Sequence, residues 1–309
     1  MKTNFKVDTQ HLEENGYILI KNVFTSEEIE QMRSSVADNL AKQKIENKVK
    51  YIQDRECMET ELLSMNGLSD VILDDRILYI AQSILKEKLV YYGDSCVSIG
   101  HSLGAWHKDN RQKDRWNHSG FDWQEKYTVI RIGIYLQDHL NYSGGLGIRL
   151  GSHRPCKWIL FLEKFRPKKV FEYFRSLVYK YYGKPIIVGS EPGDVVVWYL
   201  TTTHAGHSIR FKPFPKLRMP RWFEKYAPKS WHVPEQKRRE VLFMTFGIND
   251  DHMKRYVDHL KTKPSTQEIW KRLSISEEIV ERARSKNVDL LFPEEYLSSK
   301  MRQKVSLIR

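Results

Sequence analysis

Three side chains of the kinds that bind transition metals stand at two places in the sequence. His107 and Asp109 are two positions apart, so in an extended segment both side chains point to the same face. His204 comes 97 residues after His107, at the end of a second strand-like run. Two histidines and one carboxylate form the facial triad of non-haem Fe(II) sites, which leaves three coordination positions for a bidentate oxo acid and O2. These three residues are therefore the candidate metal ligands.

Two arginines are candidates for binding an anionic co-substrate of such a metal. Arg239 stands just before the apolar run Val241–Ile248, where a planar guanidinium entering a core strand can hold a carboxylate with two hydrogen bonds. Arg131 shares one face of another strand-like run with Tyr135, so it is a second candidate for the oxo acid or for a substrate carboxylate. The alternative for Arg131 is an ordinary ion-paired arginine.

The elements that would position these residues are short strands. Runs rich in Val, Ile, Tyr and Phe, separated by turn signals, follow one another from residue 89 to residue 248. Because they do not alternate regularly with helices, they predict an antiparallel sandwich or barrel rather than a parallel α/β sheet. The predicted strands are 17–20, 89–92, 96–99, 127–136, 147–150, 185–188, 194–200 and 241–248.

Helices are predicted on both sides of this β region. Thr25 and Glu28 have the spacing of a capping box, which predicts a helix over about 26–43. The spacing of apolar residues predicts a second helix over 69–87, and residues 251–309 are predicted to be helical as well. The expected fold class is therefore mainly β with flanking helices.

Composition limits the class of protein. The chain has 309 residues, of which 40% are apolar and 12% aromatic, and this argues against a disordered chain. No run approaches the ~18 apolar residues of a membrane span, and no secretory leader is visible, so no membrane span is predicted. The three cysteines are widely spaced, which disfavours a disulfide framework and a thiolate zinc site. A cytoplasmic protein is expected.

The net charge of +12 is concentrated in two segments. Residues 154–184 contain nine Lys and Arg against two Glu, and residues 210–240 contain ten against three. Basic surfaces of this kind attract nucleic acid or an anionic small molecule. Solvated surface segments would have the same composition, so the charge alone does not decide between these alternatives.

Five stretches of the chain, in the same order, resemble the phytanoyl-CoA dioxygenase family of Fe(II)/2-oxoglutarate oxygenases. They resemble the family's N-terminal strand and helix, its H-x-D, its Gly-Gly turn followed by Gly-Ser-His, its distal-histidine strand and its arginine strand. The matching stretches are LEENGYILIKNVFTSEEIEQMR at 12–33, WHKD at 106–109, LQDHLNYSGGLGIRLGSHR at 136–154, GDVVVWYLTTTH at 193–204 and RREVLFMTFG at 238–247.

The resemblance implies a double-stranded β-helix, or jelly roll, within a domain over residues 1–250. Relative to the family pattern, this domain carries insertions at 155–184 and 210–237. Leu150 stands where the family has a proline before Gly-Ser-His. Residues 251–309 have no counterpart in the resemblance and are expected to form a helical extension packed on the core.

The same resemblance assigns roles to the candidate residues. It implies that His107, Asp109 and His204 bind Fe(II), and that Arg239 binds the distal carboxylate of 2-oxoglutarate. The protein would then use O2 to oxidise an unactivated C–H bond, releasing succinate and CO2, with hydroxylation as the expected outcome. Halogenation is disfavoured, because halogenating relatives replace the carboxylate ligand by Gly or Ala. Desaturation and cyclisation remain open alternatives.

Several assignments have rivals. The separation of 35 residues between His204 and Arg239 exceeds the usual family spacing, which leaves Arg210 and Arg238 as rival carboxylate partners. His207, three residues after His204, is a candidate substitute ligand but is expected to belong to the substrate pocket.

The expected partner is a small-molecule substrate of polar or anionic character, with His207, Trp106 and Tyr135 as candidate substrate residues. Nucleic acid is disfavoured, because demethylases of this metal class carry a second arginine six residues after the first, and position 245 here is Thr. The other alternative is a non-catalytic basic binding protein on a jelly-roll scaffold. The oligomeric state is left open.

Overall fold

The structure is a computed structural model in which most of the chain is described. The described residues are 5–52, 55–58, 60–100, 105–110, 122, 126–138, 145–155, 161, 181–206, 211–214, 223, 226–232 and 239–308. Most residues of the expected insertions at 155–184 and 210–237 lie outside them.

A nine-stranded sheet, here called the main sheet, forms the larger part of the β region. Its strand order is β1-β8-β5-β10-β4-β11-β12, with β3 also pairing β4 and β2 pairing β3. The pairs are antiparallel except for β11, which is parallel to β4 and to β12. The strands are β1 (Tyr17–Ile20), β2 (Val49–Ile52), β3 (Arg55–Met58), β4 (Leu89–Gly100), β5 (Ile130–Tyr135), β8 (Val195–Tyr199), β10 (Glu240–Gly247), β11 (Val288–Pro293) and β12 (Ser306–Ile308).

A second sheet of three strands faces the main sheet. It has the order β7-β6-β9 and is formed by β6 (Leu146–Arg149), β7 (Pro185–Val188) and β9 (His204–Gly206). Side chains from both sheets meet in a buried inner cluster, which contains Tyr135, Leu146, Ile148, Val188, Val196, Trp198 and Val241. Two antiparallel sheets packed in this way form the predicted jelly roll, so the expected fold class is confirmed.

Helices cover the outer face of the main sheet. The α-helices are α1 (Thr9–Asn15), α2 (Ser26–Ile45), α3 (Ser69–Ile72), α4 (Asp75–Leu85), α5 (Asp251–Lys261), α6 (Pro264–Lys271), α7 (Glu277–Ser285) and α8 (Ser299–Arg302). Short 3₁₀ turns occur at Leu62–Ser64, Lys229–Trp231 and Glu294–Tyr296. The apolar faces of the helices and the outer faces of β4, β5, β8 and β10 share one large hydrophobic core. None of the described helices is long and apolar enough to cross a bilayer.

The N-terminal helix α2 is the element that the sequence predicts best. Thr25 accepts a hydrogen bond from the backbone N–H of Glu28, and the Glu28 side chain accepts one from the N–H of Thr25. The predicted capping box is therefore confirmed. The predicted second helix is divided into α3 and α4, because Asp74 caps the start of α4 through the N–H of Arg76.

Two predictions about the β region need correction. The runs 89–92 and 96–99 form a single strand, β4, which is interrupted only by an irregularity in its pairing with β10. The prediction that 251–309 is helical is correct for α5, α6 and α7 but wrong for 288–293 and 306–308. Residues 288–293 alternate between buried and half-buried positions, and this period of two is typical of a strand. The division into a 1–250 domain and a separate extension stays a prediction.

Candidate metal centre

The fold brings His107, Asp109 and His204 into one cluster. The Nε2 atom of His107 lies 3.6 Å from Oδ1 of Asp109, and Nε2 of His204 lies 3.4 Å from Oδ2 of Asp109. One potential ligand atom from each residue lies within 4.8 Å of the others. His107 and His204 are held side by side by a pair of backbone hydrogen bonds of 2.9 Å, which extend the second sheet by one bridge.

Both imidazoles present a nitrogen lone pair toward the carboxylate. The Nδ1 atom of His107 lies 2.8 Å from the carbonyl oxygen of Ala105, and Nδ1 of His204 lies 3.0 Å from that of Thr202. A carbonyl oxygen can only accept, so each Nδ1 carries the proton and each Nε2 is left as the free donor atom for a metal. Burial lowers the pKa of His204 to about 4, which keeps its imidazole neutral at physiological pH.

The third group, Asp109, is held in its charged form. Its backbone N–H donates to the carbonyl oxygen of Leu200 at 3.0 Å, which ties the H-x-D segment to the end of β8. Burial by itself raises the pKa of the Asp109 carboxyl, but the Arg131 guanidinium lowers it well below its usual range. The cluster therefore offers one anionic oxygen ligand beside two imidazole nitrogens.

Lys108, between two of the clustered residues, is a structural residue that sequence reasoning missed. Its side chain is buried, and Nζ donates to the carbonyl oxygens of Ser152 and Thr201, both at 2.6 Å. It thus ties the H-x-D segment to the turns after β6 and β8. The sequence gives one signal for this structural role. Lys108 is the middle residue of the His-Lys-Asp triplet, and in an extended segment the middle side chain points away from the face that carries the other two.

Arg239 lies at the start of β10 and is buried within the jelly roll. Its side chain is 2% exposed, and its Cζ lies 5.5 Å from the ring centre of Tyr135 and 5.6 Å from that of Phe243. Its Nε and Nη1 atoms have no hydrogen-bond partner among the described residues. A buried guanidinium with unmade hydrogen bonds is costly, so this position fits an anionic ligand that supplies the missing acceptors.

A row of aromatic rings connects Arg239 with the metal-ligand cluster. The Phe243 ring lies 5.9 Å from the ring of Trp198, and Trp198 lies 5.4 Å from the ring of His204. These rings lie on the inner face of the main sheet, between the two sheets. The inner face thus carries a cationic end at Arg239 and a metal-binding end at His204.

Arg131, the second predicted co-substrate residue, contacts the protein's own carboxylates. Its Nη2 donates to Oδ2 of Asp94 at 2.5 Å, and its Nη1 lies 3.6 Å from Oδ2 of Asp109. Its Nε donates to the hydroxyl of Thr245 at 3.1 Å, and Nη2 also donates to the hydroxyl of Tyr256 at 3.1 Å. These contacts favour a positioning role behind Asp109, while a direct contact with the oxo acid stays a prediction. Nothing in the sequence pattern pointed to Asp94 or Tyr256.

The predicted substrate residues are found in different places. Tyr135 lies beside Arg239, whose charge partly opposes the effect of burial in raising the pKa of the phenol. Trp106 is buried between Gly147 and the guanidinium of Arg149, whose Cζ lies 4.7 Å from its ring centre. His207 lies outside the described residues, as do the rival carboxylate partners, so these three assignments stay predictions.

The cluster fits the donor set of non-haem iron. The two Nε2–carboxylate distances are a few tenths of an ångström longer than the spacing of about 3 Å between neighbouring ligand atoms on one octahedral face. Two imidazoles with free Nε2 atoms and one ionised carboxylate on one side leave the opposite side for other ligands. The unpaired guanidinium of Arg239 matches the charge of a dicarboxylate co-substrate.

Comparison with known proteins agrees with this chemistry. The model of the family described as phytanoyl-CoA dioxygenase matches residues 12–210. The crystal structure of SnoK, a non-haem α-ketoglutarate-dependent carbocyclase from nogalamycin biosynthesis, is 16% identical and has a TM-score of 0.53, with coverage of 80% of this chain and 89% of that chain. At this identity the likeness shows the fold.

Two other structures are similar to a lower degree. EctD from S. alaskensis is 13% identical, with 77% of this chain and 75% of that chain covered and a TM-score of 0.49. HygX from Streptomyces hygroscopicus, solved with nickel and 2-oxoglutarate, is 15% identical, with 77% and 85% covered and a TM-score of 0.49. A search of curated protein sequences found no significant match. Because the family match extends over most of the chain and includes all three clustered residues, the protein belongs to the phytanoyl-CoA dioxygenase family of non-haem Fe(II)/2-oxoglutarate-dependent oxygenases.

Proposed function

We propose that this oxygenase hydroxylates an unactivated C–H bond of a small polar or anionic molecule, with 2-oxoglutarate converted to succinate and CO2. The observation that carries the proposal is the pairing of two features on one inner face. One is the cluster of His107, Asp109 and His204, and the other is the buried guanidinium of Arg239, whose Nε and Nη1 atoms have no hydrogen-bond partner among the described residues. A metal site alone would not require a second buried cation.

The clustered residues would hold the metal as three ligands on one side. His107 and His204 bind through Nε2, while their Nδ1–H groups donate to backbone carbonyls that fix each ring's orientation. Asp109 binds as a carboxylate that stays ionised because Arg131 lies beside it. When bound, Fe(II) and 2-oxoglutarate supply the activation of O2 and the oxidation of the C–H bond.

Arg239 would bind the far carboxylate of 2-oxoglutarate. Its planar fork can make two parallel hydrogen bonds to a carboxylate, and its surroundings exclude water that would otherwise satisfy it. Tyr135 and Phe243 flank the guanidinium and restrict its orientation. Tyr135 is therefore better placed for the co-substrate than for the substrate.

The polar or anionic character of the substrate is supported by the charge of segments 154–184 and 210–240. The absence of an arginine at position 245, where Thr245 instead hydrogen-bonds Arg131 and Asp94, is consistent with a substrate other than nucleic acid. Desaturation or cyclisation would use the same residues, so the reaction outcome has to be read from the product. A cytoplasmic location stays a prediction, and the oligomeric state stays open.

The test is an anaerobic titration followed by a turnover assay. Apoprotein is loaded with Fe(II), 2-oxoglutarate is added, and the weak visible charge-transfer band of a chelated oxo acid is recorded. Asp109→Ala is measured in parallel, since it removes one proposed ligand. Succinate release on admitting O2 is then measured with pools of anionic and of neutral small molecules, and the mass of the product distinguishes hydroxylation from desaturation.

We expect a band in the wild-type protein, a band that requires more Fe(II) in Asp109→Ala, and succinate release stimulated by an anionic pool. A wild-type protein that retains no iron and shows no band would contradict the proposal and favour a non-catalytic basic binding protein. Stimulation by neutral molecules only would leave the oxygenase assignment intact and overturn the substrate class.

A further inference from the structure

The C-terminal part of the chain, which lies outside the family match, contacts the residues behind the metal-ligand cluster. Tyr256 of α5 is buried, and its hydroxyl accepts a hydrogen bond from Arg131 and donates one of 2.8 Å to Asp94. The hydroxyl of Thr245 does the same, accepting from Arg131 at 3.1 Å and donating to Asp94 at 2.7 Å. Two hydroxyl groups, one from β10 and one from α5, therefore link the guanidinium to its carboxylate partner.

Asp94 lies at an irregularity in β4. The register between β4 and β10 shifts between Met244 and Phe246, and Gly93 has a φ of +68°. Between these two pairs β4 has three residues and β10 has one, so the bulge adds two residues to β4. Asp94 is one of the three β4 residues inside the bulge.

Two more residues of the C-terminal part hold the bulge in place. Trp270 of α6 is buried, and its Nε1 donates to the carbonyl oxygen of Gly93 at 3.1 Å. The ring of Phe292 in β11 packs so closely on Gly93 that it leaves no room for a Cβ atom there. The conformation of the bulge thus depends on α6 and β11 as well as on the glycine.

Helix α5 also contacts the other side of the H-x-D segment. Asn110, next to Asp109, donates to Asp122 at 3.4 Å. The same carboxylate accepts a hydrogen bond from Arg255 at 2.9 Å and contacts Nδ1 of His252 at 3.1 Å, and both of these residues belong to α5. One helix therefore supports Asp109 from two directions.

We propose that the C-terminal segment is part of the metal centre, with Tyr256 as the positioning residue that orients Arg131, through Asp94, against the carboxylate of Asp109. This inference rests on Asp109 being a metal ligand, as in the proposed function. Hydrogen bonds to the residues around a metal ligand fix the ligand's orientation, and their loss typically lowers metal affinity by about 10- to 100-fold. The jelly roll by itself would leave Arg131 with an incomplete set of partners.

The test compares two single-hydroxyl deletions, Tyr256→Phe and Tyr92→Phe. Tyr92 is a matched control, because it is a buried phenol whose ring lies 5.9 Å from that of Tyr256 and whose hydroxyl has no hydrogen-bond partner among the described residues. Each apoprotein is titrated anaerobically with Co(II), followed by its visible absorption, and its melting temperature is recorded. We expect about tenfold weaker Co(II) binding in Tyr256→Phe and unchanged binding in Tyr92→Phe.

A further variant, Thr245→Val, removes the other linking hydroxyl from a strand rather than from α5, and it should weaken Co(II) binding in the same direction. The 2-oxoglutarate affinity of the metal-saturated variants should be unchanged, because Arg239 lies at the opposite end of β10. If Co(II) affinity is equal in wild type and Tyr256→Phe, or if Tyr92→Phe loses as much Co(II) affinity as Tyr256→Phe, this inference is overturned. The proposed function is not affected by either result. A wild-type protein that binds no Co(II) overturns the proposed function and this inference together.

Discussion

Two buried arginines on the inner face of the main sheet have opposite surroundings. Arg131 contacts Asp94 and Asp109 and donates to two hydroxyl groups. Arg239 is at least as well buried, yet its Nε and Nη1 atoms have no partner among the described residues. Asp94 and Asp109 raise the pKa of Arg131 well above its usual range despite the opposing effect of burial, so its charge is a fixed part of the fold.

This difference in partners distinguishes the charge of Arg131, which the protein itself neutralises, from the charge of Arg239, which is available to a ligand. A buried cation is tolerated when the protein supplies its counter-charge and hydrogen bonds, whereas an unpaired one lowers stability. An anion bound at Arg239 would supply the hydrogen-bond acceptors that its Nε and Nη1 atoms lack among the described residues. Both positions carry arginine on the same face of the sheet, and the more buried of the two is the one whose Nε and Nη1 atoms have no partner among the described residues.

The largest expected effect comes from removing the satisfied arginine. Arg131→Met leaves two carboxylates buried without their cation, so the apoprotein should lose about 3–5 kcal/mol of unfolding free energy. Urea unfolding of the apoprotein measures this loss, and Co(II) affinity should fall with it. Arg131→Lys keeps the positive charge but loses the planar guanidinium, so its unfolding free energy should lie between those of the wild type and Arg131→Met. A loss below about 1 kcal/mol in Arg131→Met would show that the network does not hold the carboxylates.

The opposite outcome is expected for the unpaired arginine. Arg239→Met should leave the unfolding free energy of the apoprotein unchanged or raise it, because it removes a buried charge whose Nε and Nη1 atoms have no partner among the described residues. The Kd of 2-oxoglutarate should rise by about 100-fold, or roughly 3 kcal/mol, since a charged pair loses one member. Titration of the Fe(II) protein in the absence of O2 measures the Kd. If both arginine variants destabilise the apoprotein equally, the comparison fails.

Glu61 differs from Asp109 in that it is a buried carboxyl with no cation beside it among the described residues. Glu61 is buried among neutral donors, with Ser95 donating at 2.6 Å and the backbone N–H of Leu63 at 2.5 Å. Burial raises the pKa of Glu61 to about 7. The folded protein therefore holds this proton more tightly than the unfolded chain, so stability should decrease as the pH rises from about 4.5 to about 7 and level off above that.

Across that interval the loss from Glu61 amounts to at most about 3 kcal/mol. Glu61→Gln should remove this slope from a series of urea unfolding curves, and the difference between variant and wild type isolates the contribution of this one group. An unchanged slope would mean that its neutral donors keep Glu61 ionised, as Arg131 does for Asp109.

The smallest effect is expected at a satisfied arginine outside the jelly roll. Arg76 donates to Glu28 and Asp74 at 2.7 and 2.9 Å, with a side chain that is 18% exposed. Because water screens this network in part, Arg76→Met should cost only about 1–2 kcal/mol of unfolding free energy. Co(II) and 2-oxoglutarate affinities should equal those of the wild type. A change in either would show that the effects at Arg131 and Arg239 are not local to the inner face.

Much of the fold was predictable because its signals are local. The capping box at Thr25 and Glu28 predicted α2, and runs of β-branched and aromatic residues predicted most strands of the jelly roll within a few residues. The C-terminal strands β11 and β12 were missed because a short strand inside a mainly helical segment gives little periodic signal. β11 pairs with β4, about two hundred residues earlier in the chain, and β12 pairs with β11, so their formation depends on tertiary contacts.

The residues of the candidate site were also only partly predictable from the sequence. His107, Asp109 and His204 were chosen from residue type and spacing, and the structure brings them together. Lys108 was overlooked because a lysine beside metal ligands has no distinctive pattern. Tyr256 was overlooked because its link to Asp109 passes through Arg131 and Asp94, which are far apart in the sequence.

By itself, the sequence determined the donor set for a metal, the strand-rich core and the presence of two arginines on strands of that core, since these follow from residue type and from periods of two. Only the tertiary structure decided which arginine the protein satisfies and which it leaves for a ligand. The partners of Arg131 lie 37, 114 and 125 residues away, so their meeting depends on how β4, β10 and α5 pack. A guanidinium's role is set by its acceptors, and those acceptors come from distant parts of the chain.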